Sequence, residues 1–478
     1  MNYLKQIYNL TSKNVNINYL YCIKITLITM KKFLKILLLL LILAFLYFGF
    51  TTYPKLDLIS GFSAKSVASG HFIDNRSVDL IEKTDNDIKM IDLAKNSIDE
   101  NGKFATATVY GLKERKAIYR EGLGATLIND DFDVSKPYLL PKRTNLENNL
   151  PFPYGNKEPK DTAFSNINYS KLKKAVDGAF DKTSGRIKRT RAVVVLYKDK
   201  LIAEKYDTGF TKDSKILGWS MTKSITSSAF GVLAKQGKID IYKPAPVTEW
   251  KNDERKNITL NDLLHMNSGL EWEEDYSTIC DATKMLFQAE DMGKVQLEKP
   301  AQFKPNTHWY YSSGTTNLLS LILRRQFKTQ QEYIDFWYSA VIDKIGMNSM
   351  IVEQDMSGTF VGSSYGWATP RDWSKFGLLY LKKGNWNGEQ ILDESWVKYT
   401  ATPTNTSGGK YGAQFWLNAG GKFPDVPRDM FYCSGYQGQM VAIIPSLEMV
   451  IVRMGVREEE PGFDFNGFLK GIIDSIKK

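Results

Sequence analysis

The sequence predicts an α+β fold, an antiparallel sheet flanked by helices with an N-terminal membrane segment ahead of it, and three observations carry that expectation. Strand pairs stand near both ends of the later part of the chain, helical periodicity fills the span between them, and an early apolar run approaches the length of a membrane helix. At 478 residues and 54.4 kDa the chain can bury a sizeable core. A hydrophobic share of 43% and a charged share of 24% exclude disorder of the whole. Three cysteines cannot staple a fold of this size, and three histidines, His71, His265 and His308, make a three-histidine metal site a poor expectation. The formal charge of +10 is uneven: Lys5, Lys13, Lys24, Lys31, Lys32 and Lys35 supply six charges ahead of the first acid, Asp57, leaving +4 for residues 36–478. That remainder is a solvated surface rather than a nucleic-acid footprint.

The elements follow in chain order. Residues 1–29 read as an extension, with Met30-Lys31-Lys32 resembling a normal start for the segment that follows. Residues 30–52 read as a membrane anchor or signal segment around FLKILLLLLILAFLYFGF, Phe33 to Phe50. Neither a small-x-small cleavage pair nor a lipidation cysteine follows the run closely, so an uncut anchor is expected. Lysines ahead of it place the N-terminus inside and the rest on the periplasmic or outer face. Residues 53–160 read as an accessory region of short alternations such as FATATVYGL, closed by a proline-rich linker that wraps a surface. From 161 to 478 the pattern sharpens. RAVVVLYKDKLIAEKY is a hairpin turning at Lys-Asp-Lys, and SMTKSITSSAFGVLAKQGK is a helix stopped at Gly237. MVAIIPSLEMVIVRMG is a second strand pair and GFLKGIIDSIKK a terminal amphipathic helix.

Within that frame Ser220 is the candidate nucleophile, with Lys223 three residues on and so on the same helical face. A serine attacks only when a base takes its proton, and a lysine becomes such a base only when desolvated or crowded by positive charge. Five serines here precede a lysine at the third place: Ser170, Ser220, Ser395, Ser407 and Ser475. Only Ser220 sits between a strand end and a small-residue helix, where backbone N–H groups can hold an oxyanion. Tyr311, Ser312 and Ser313 stand ahead of an apolar helix entered at Gly314, and a phenol beside an ammonium is drawn towards phenolate, so Tyr311 can share the proton with Lys223. In FYCSGYQGQMVAIIP, Gly435 and Gly438 leave a strand edge able to aim an N–H at a bound carbonyl.

These elements in this order, with LNDLLHMNSGLEWEEDY, PNTHWYYSSG, YGWATPRDWSKFGLLYLKKGNWNG and SGYQGQMVAIIPSLEMVIVR, resemble serine beta-lactamase-like hydrolases of the class C type over about residues 165–470. That family includes esterases, D-amino-acid peptidases and 6-aminohexanoate-dimer hydrolases. The resemblance implies a sheet with a helical subdomain and no cofactor or metal. Ser220 becomes the acylated nucleophile, Lys223 and Tyr311 the proton-transfer pair, and the N–H groups of Ser220 and Tyr436 the oxyanion hole. It also implies substrate contacts at Tyr276, Ser313, Gly435 and Gln439. Two departures bear on substrate: Ser313 replaces the asparagine of Tyr-x-Asn, and no Lys-Thr-Gly or Lys-Ser-Gly follows Ser220. Loss of that carboxylate-binding lysine favours ester or linear-amide hydrolysis over antibiotic hydrolysis.

The rival readings are a D-amino-acid peptidase or beta-lactamase of the same fold, and a membrane-tethered binding protein without turnover. A separate serine site, Gly362-x-Ser364-x-Gly366, lacks the later histidine that a nucleophile elbow requires, and Thr369-Pro370 marks a helix start too late for one. His265 and His308 read as structural side chains, Cys280 and Cys433 as two separate buried thiols.

Overall fold

Burial without a break from Thr190 to Tyr197 makes this strand the spine of the molecule. In the computed structural model, which describes residues 2–146, 149–181, 188–276, 278–457 and 462–477, six strands form one antiparallel sheet. Their order is Trp416–Leu417, Phe431–Gly435, Gln439–Ile444, Met449–Gly455, Thr190–Tyr197 and Lys200–Tyr206. The last strands of the chain therefore pair with the first of this region, Ile451 opposite Val195. The two-residue period of a strand feeds two cores. Ala192, Val194 and Leu196 join the larger one, with residues of the helices Thr222–Lys235, Ser313–Arg324 and Pro370–Leu381. Val193, Val195 and Tyr197 join the other, under the helices Tyr169–Gly178 and Phe465–Ile473. A strand apolar on both faces is what a sheet covered on both sides requires. The hairpin turns at Lys198 and Asp199, both at positive φ, the geometry that matches strand twist.

In the accessory region the alternation expected at FATATVYGL appears as the strand Phe104–Val109, and a helix that the pattern does not announce precedes it. Helix runs from Asn2 to Asp74, so it does not stop at Phe50. Two compact units divide at Asp57 and Leu58, and the accessory region shares the second with everything to Lys478. In the first unit lies the apolar run; the helix Tyr19–Asp74 is long and apolar enough to cross a membrane. In the second, the helix from Leu58 onward brings Ala64, Val67 and Ala68 against Ala105, Ala107, Ala117 and Ala125 of a four-stranded antiparallel sheet, Ala94–Asp99, Phe104–Val109, Leu112–Arg120 and Gly124–Ile128. Small side chains on both surfaces let the helix approach the sheet closely. The proline-rich stretch forms no helix or strand among its described residues and wraps a surface, with Arg143 paired to Asp343 at 2.7 Å and the Thr144 N–H donating to the same carboxylate at 2.8 Å.

One buried carboxylate ties the accessory helix to the sheet that leads into Ser220. Glu353, wholly buried, accepts from Lys65 at 2.5 Å, Ser69 at 2.7 Å, the Ala125 N–H at 2.7 Å and the Trp367 indole at 2.9 Å. Trp367 in turn pairs with Leu217, three residues ahead of Ser220. Removing one side of such a pair strands the other charge, so Glu353→Ala should cost about 3–5 kcal/mol of stability. Chemical denaturation in detergent checks this; a loss below about 1 kcal/mol would contradict the assignment.

Candidate active site

A backbone turn held against its preference presents Ser220. Trp219 has φ of +47°, in the left-handed region that costs a bulky residue of order 1–3 kcal/mol. The turn is pinned on three sides. Gly218 donates to the Gly366 carbonyl at 2.8 Å, Thr222 Oγ1 donates to the Trp219 carbonyl at 2.7 Å, and the Gly366 N–H donates to Thr222 Oγ1 at 3.0 Å. The strand Phe431–Gly435 ends against it so closely that a Cβ on Gly435 would lie 2.1 Å from the Gly218 carbonyl oxygen. Only glycine fits at 435, and this approach brings the Tyr436 segment beside the serine turn.

Lys223 lies on the first turn of the helix Thr222–Lys235 with 1% of its surface exposed. Its Nζ is 2.9 Å from Ser220 Oγ, 3.0 Å from Ser313 Oγ and 3.0 Å from the Ser363 carbonyl oxygen. Burial pulls the ammonium down to about 8, while the Glu274 carboxylate opposes the shift. The three contacts also dictate direction. A carbonyl can only accept, so Ser363 takes one N–H. Ser313 Oγ spends its own hydrogen on Glu274 Oε1, 2.7 Å away, and so accepts a second. The lone pair of a neutral Lys223 is left facing Ser220, where it can take the hydroxyl proton.

Tyr311 lies over the same ammonium, its ring centre 4.8 Å from Lys223 Nζ, and packs on Trp416 at 5.1 Å and Tyr411 at 5.7 Å. The expectation of a phenol drawn towards phenolate is corrected here. Burial pushes the phenol above its ordinary value, Glu274 adds to the rise, and hydrogen bonding with Ser220 opposes it without reversing it. Tyr311 is therefore a neutral phenol that can donate, while Lys223 is the group able to accept.

Other residues read from the sequence fall into place unequally. Tyr276 is exposed, donates to Glu274 at 2.8 Å, and lies 5.8 Å ring to ring from Tyr436. Ser313 faces Lys223 and Glu274 instead of open space. Gln439, expected at the substrate, is buried, and its amide serves the Tyr436 and Gly455 carbonyls and the Gly455 N–H. It braces the loop that carries Tyr436. Ser364 is 2% exposed and hydrogen-bonds Ser363 Oγ at 2.8 Å, and Thr369 caps the helix Pro370–Leu381, so no elbow exists there. His265 is buried against Thr404, its Nδ1 2.7 Å from Oγ1, and burial lowers it to about 4. Cys280 and Cys433 are free buried thiols. Among the described residues no cluster of His, Cys, Asp and Glu could hold a metal.

Glu274 went unread in the sequence. Its carboxylate accepts from the Trp272 indole at 2.7 Å, Tyr276, the Ser313 N–H at 2.6 Å and Ser313 Oγ. An anion at the start of the helix Ser313–Arg324 is favourable in its own right. Nothing marks it out among Glu271, Glu273 and Asp275; only the fold turns it inward.

A sheet covered by helices on both faces, with a serine and a buried lysine where the helical part meets its edge, defines a hydrolase of the beta-lactamase fold. The Beta-lactamase family profile matches residues 177–468, and the chain belongs to that family. It is 22% identical to the 6-aminohexanoate-dimer hydrolase of Paenarthrobacter ureafaciens over 324 residues, 60% of this chain and 78% of that one. The fold is shared with a family VIII carboxylesterase, at TM-score 0.53 and 15% identity over 66% of this chain and 100% of the other. It is shared also with EstCE1, a hydrolase with promiscuous acyltransferase activity, at TM-score 0.52 and 12% identity over 65% and 99%. About a third of this chain thus lies outside the common fold.

If the neutral lysine is the base, kcat/KM for an ester should rise with pH through about 8 and level off above it. Because Glu274 holds Lys223 up, Glu274→Gln should move the midpoint to lower pH. A midpoint that stays put or rises in that variant contradicts the assignment.

Proposed function

We propose that this protein is a membrane-anchored serine hydrolase that cleaves an ester or linear amide through an acyl-enzyme on Ser220. The observation that carries the reading is the buried Lys223 ammonium, lowered to about 8 and 2.9 Å from Ser220 Oγ, with its other two hydrogen-bonding directions taken. In the first step Ser220 Oγ bonds to the carbonyl carbon and its proton passes to Lys223. The N–H groups of Ser220 and Tyr436 are assigned to the developing oxyanion. A proton for the leaving oxygen or nitrogen is assigned to Tyr311, whose neutral hydroxyl can donate, while Lys223 holds the proton taken from Ser220. Water cleaves the acyl-enzyme by the reverse path, restoring Ser220. Kinship with the 6-aminohexanoate-dimer hydrolase supports the amide arm of the reading, and the carboxylesterase fold the ester arm.

A fluorophosphonate probe tests the site. Wild type and Ser364→Ala should label fully, Ser220→Ala not at all, and Tyr311→Phe should fold while turnover falls about a hundredfold. Labelling retained in Ser220→Ala would sink the reading. On the same samples, short-chain ester turnover should exceed cephalosporin turnover by about a hundredfold, the scale of one lost charge-assisted hydrogen bond; release of D-alanine from a peptide would favour the peptidase reading instead.

The anchor is assigned to the apolar run Phe33–Phe50, with the lysine-bearing end inside and the hydrolase facing outward. The intact chain should remain in carbonate-washed membranes, with the hydrolase accessible to protease added outside. Recovery of a soluble species beginning after residue 50 would show that the segment is cleaved.

A further inference from the structure

A ring from the part of the chain ahead of the matched family region packs against the nucleophile turn. Phe62, on the helix segment that starts the second compact unit, stacks on Trp219 with centroids 6.2 Å apart and planes 20° from parallel. It also packs on Phe287 at 5.4 Å, in the helix Asp281–Gln288 that follows the Tyr276 loop. Trp219 itself touches Tyr365 at 6.0 Å and Tyr436 at 5.5 Å. Its side chain is thus clamped between an accessory ring on one flank and the Tyr436 segment on another, while its backbone holds the positive φ that precedes Ser220.

We propose that Phe62 is a positioning residue for Ser220: by clamping the Trp219 ring it keeps the strained turn from relaxing, so the accessory region forms part of the working active site. This rests on Ser220 being the acylated residue. A cavity of about 20 Å³ already lies beside the clamp, lined by Phe62, Ser66, Ser69, Trp219, Trp367 and Gln437. Deleting the Phe62 ring enlarges that space and gives the Trp219 indole somewhere to go. Once it swings out, the turn can adopt an ordinary φ, and Ser220 Oγ leaves its 2.9 Å contact with Lys223.

Phe72 supplies the control. It lies on the same helix and packs within the accessory region, on Tyr119 at 5.3 Å and His71 at 4.8 Å, with no ring contact to Trp219. Second-order labelling rates with a small fluorophosphonate, which needs only the serine and its base, are measured on the full chain in detergent beside thermal midpoints. Phe62→Ala should label about tenfold more slowly, whereas Phe72→Ala should lose comparable thermal stability and label at the wild-type rate. Phe62→Leu, which keeps apolar volume without a flat face, should fall between wild type and Phe62→Ala and serves if the alanine variant does not fold. Equal slowing in Phe62→Ala and Phe72→Ala overturns the proposal, since the effect would then be general loosening; so does a wild-type rate in Phe62→Leu when the alanine variant is unfolded, or in Phe62→Ala. Labelling that persists in Ser220→Ala overturns the functional reading instead, so the two failures are distinct.

Discussion

A buried lysine with no carboxylate beside it is the constraint around which this site is built. Among the described residues nothing acidic lies within ion-pair distance of Lys223, so its charged form is held by three oxygens and the face of Tyr311. Those contacts are enough to keep the group in place and too few to restore its ordinary basicity. Each oxygen comes from a different part of the chain: the serine turn, the head of the helix Ser313–Arg324, and the loop at Ser363. The helical packing and the sheet edge must therefore both be correct before the lysine has any partners at all. The G-x-S-x-G string is absorbed into this arrangement by its backbone, since the Ser363 carbonyl, and not the Ser364 hydroxyl, meets the site.

Glu274 sets the other limit. A carboxylate one residue removed from Lys223 raises its basicity, which works against a neutral base, but it also consumes the Ser313 hydrogen and so orients the lone pair. Both Glu274 oxygens are saturated by Trp272, Tyr276 and Ser313, which leaves the carboxylate unable to swing onto Lys223 and form a direct ion pair. The arrangement holds a negative charge close enough to tune the lysine and too constrained to neutralise it.

Much of this was legible in the residue order because local chemistry decides it. The turn at Lys198-Asp199 sits between two alternating runs, Gly237 follows the last helical apolar residue, and Ser220 with Lys223 lies on one helical face. What escaped depends on distant partners. The helix between Leu58 and Asp74 carries serines, alanines and glycines whose spacing is uninformative until a sheet of alanines is set against them. Tyr311 reads as a phenol beside an ammonium, and only the fold adds the burial and the Glu274 charge that keep it protonated. Gln439 reads as a polar residue in a glycine-rich loop, yet the backbone groups of Tyr436 and Gly455 claim its amide.

Ser313, which stands where the resemblance to class C beta-lactamases leads one to expect the asparagine of Tyr-x-Asn, falls under the same hydrogen-bond accounting. An asparagine side chain offers two N–H donors beside its acceptor, so it can serve the lysine and still reach a substrate carbonyl. A serine has a single hydrogen, and here Glu274 takes it. Ser313 can then support Lys223 but has nothing left to donate to a bound acyl group. On the proposed function the substrate carbonyl is left to backbone N–H groups, and the rings Trp219, Tyr276 and Tyr436 pack on one another beside the serine turn while Tyr311 packs on Trp416. On that proposal, surroundings of this kind favour shape and apolar surface around the scissile carbonyl over a polar side group on it, which is the physical content of proposing a simple ester or linear amide.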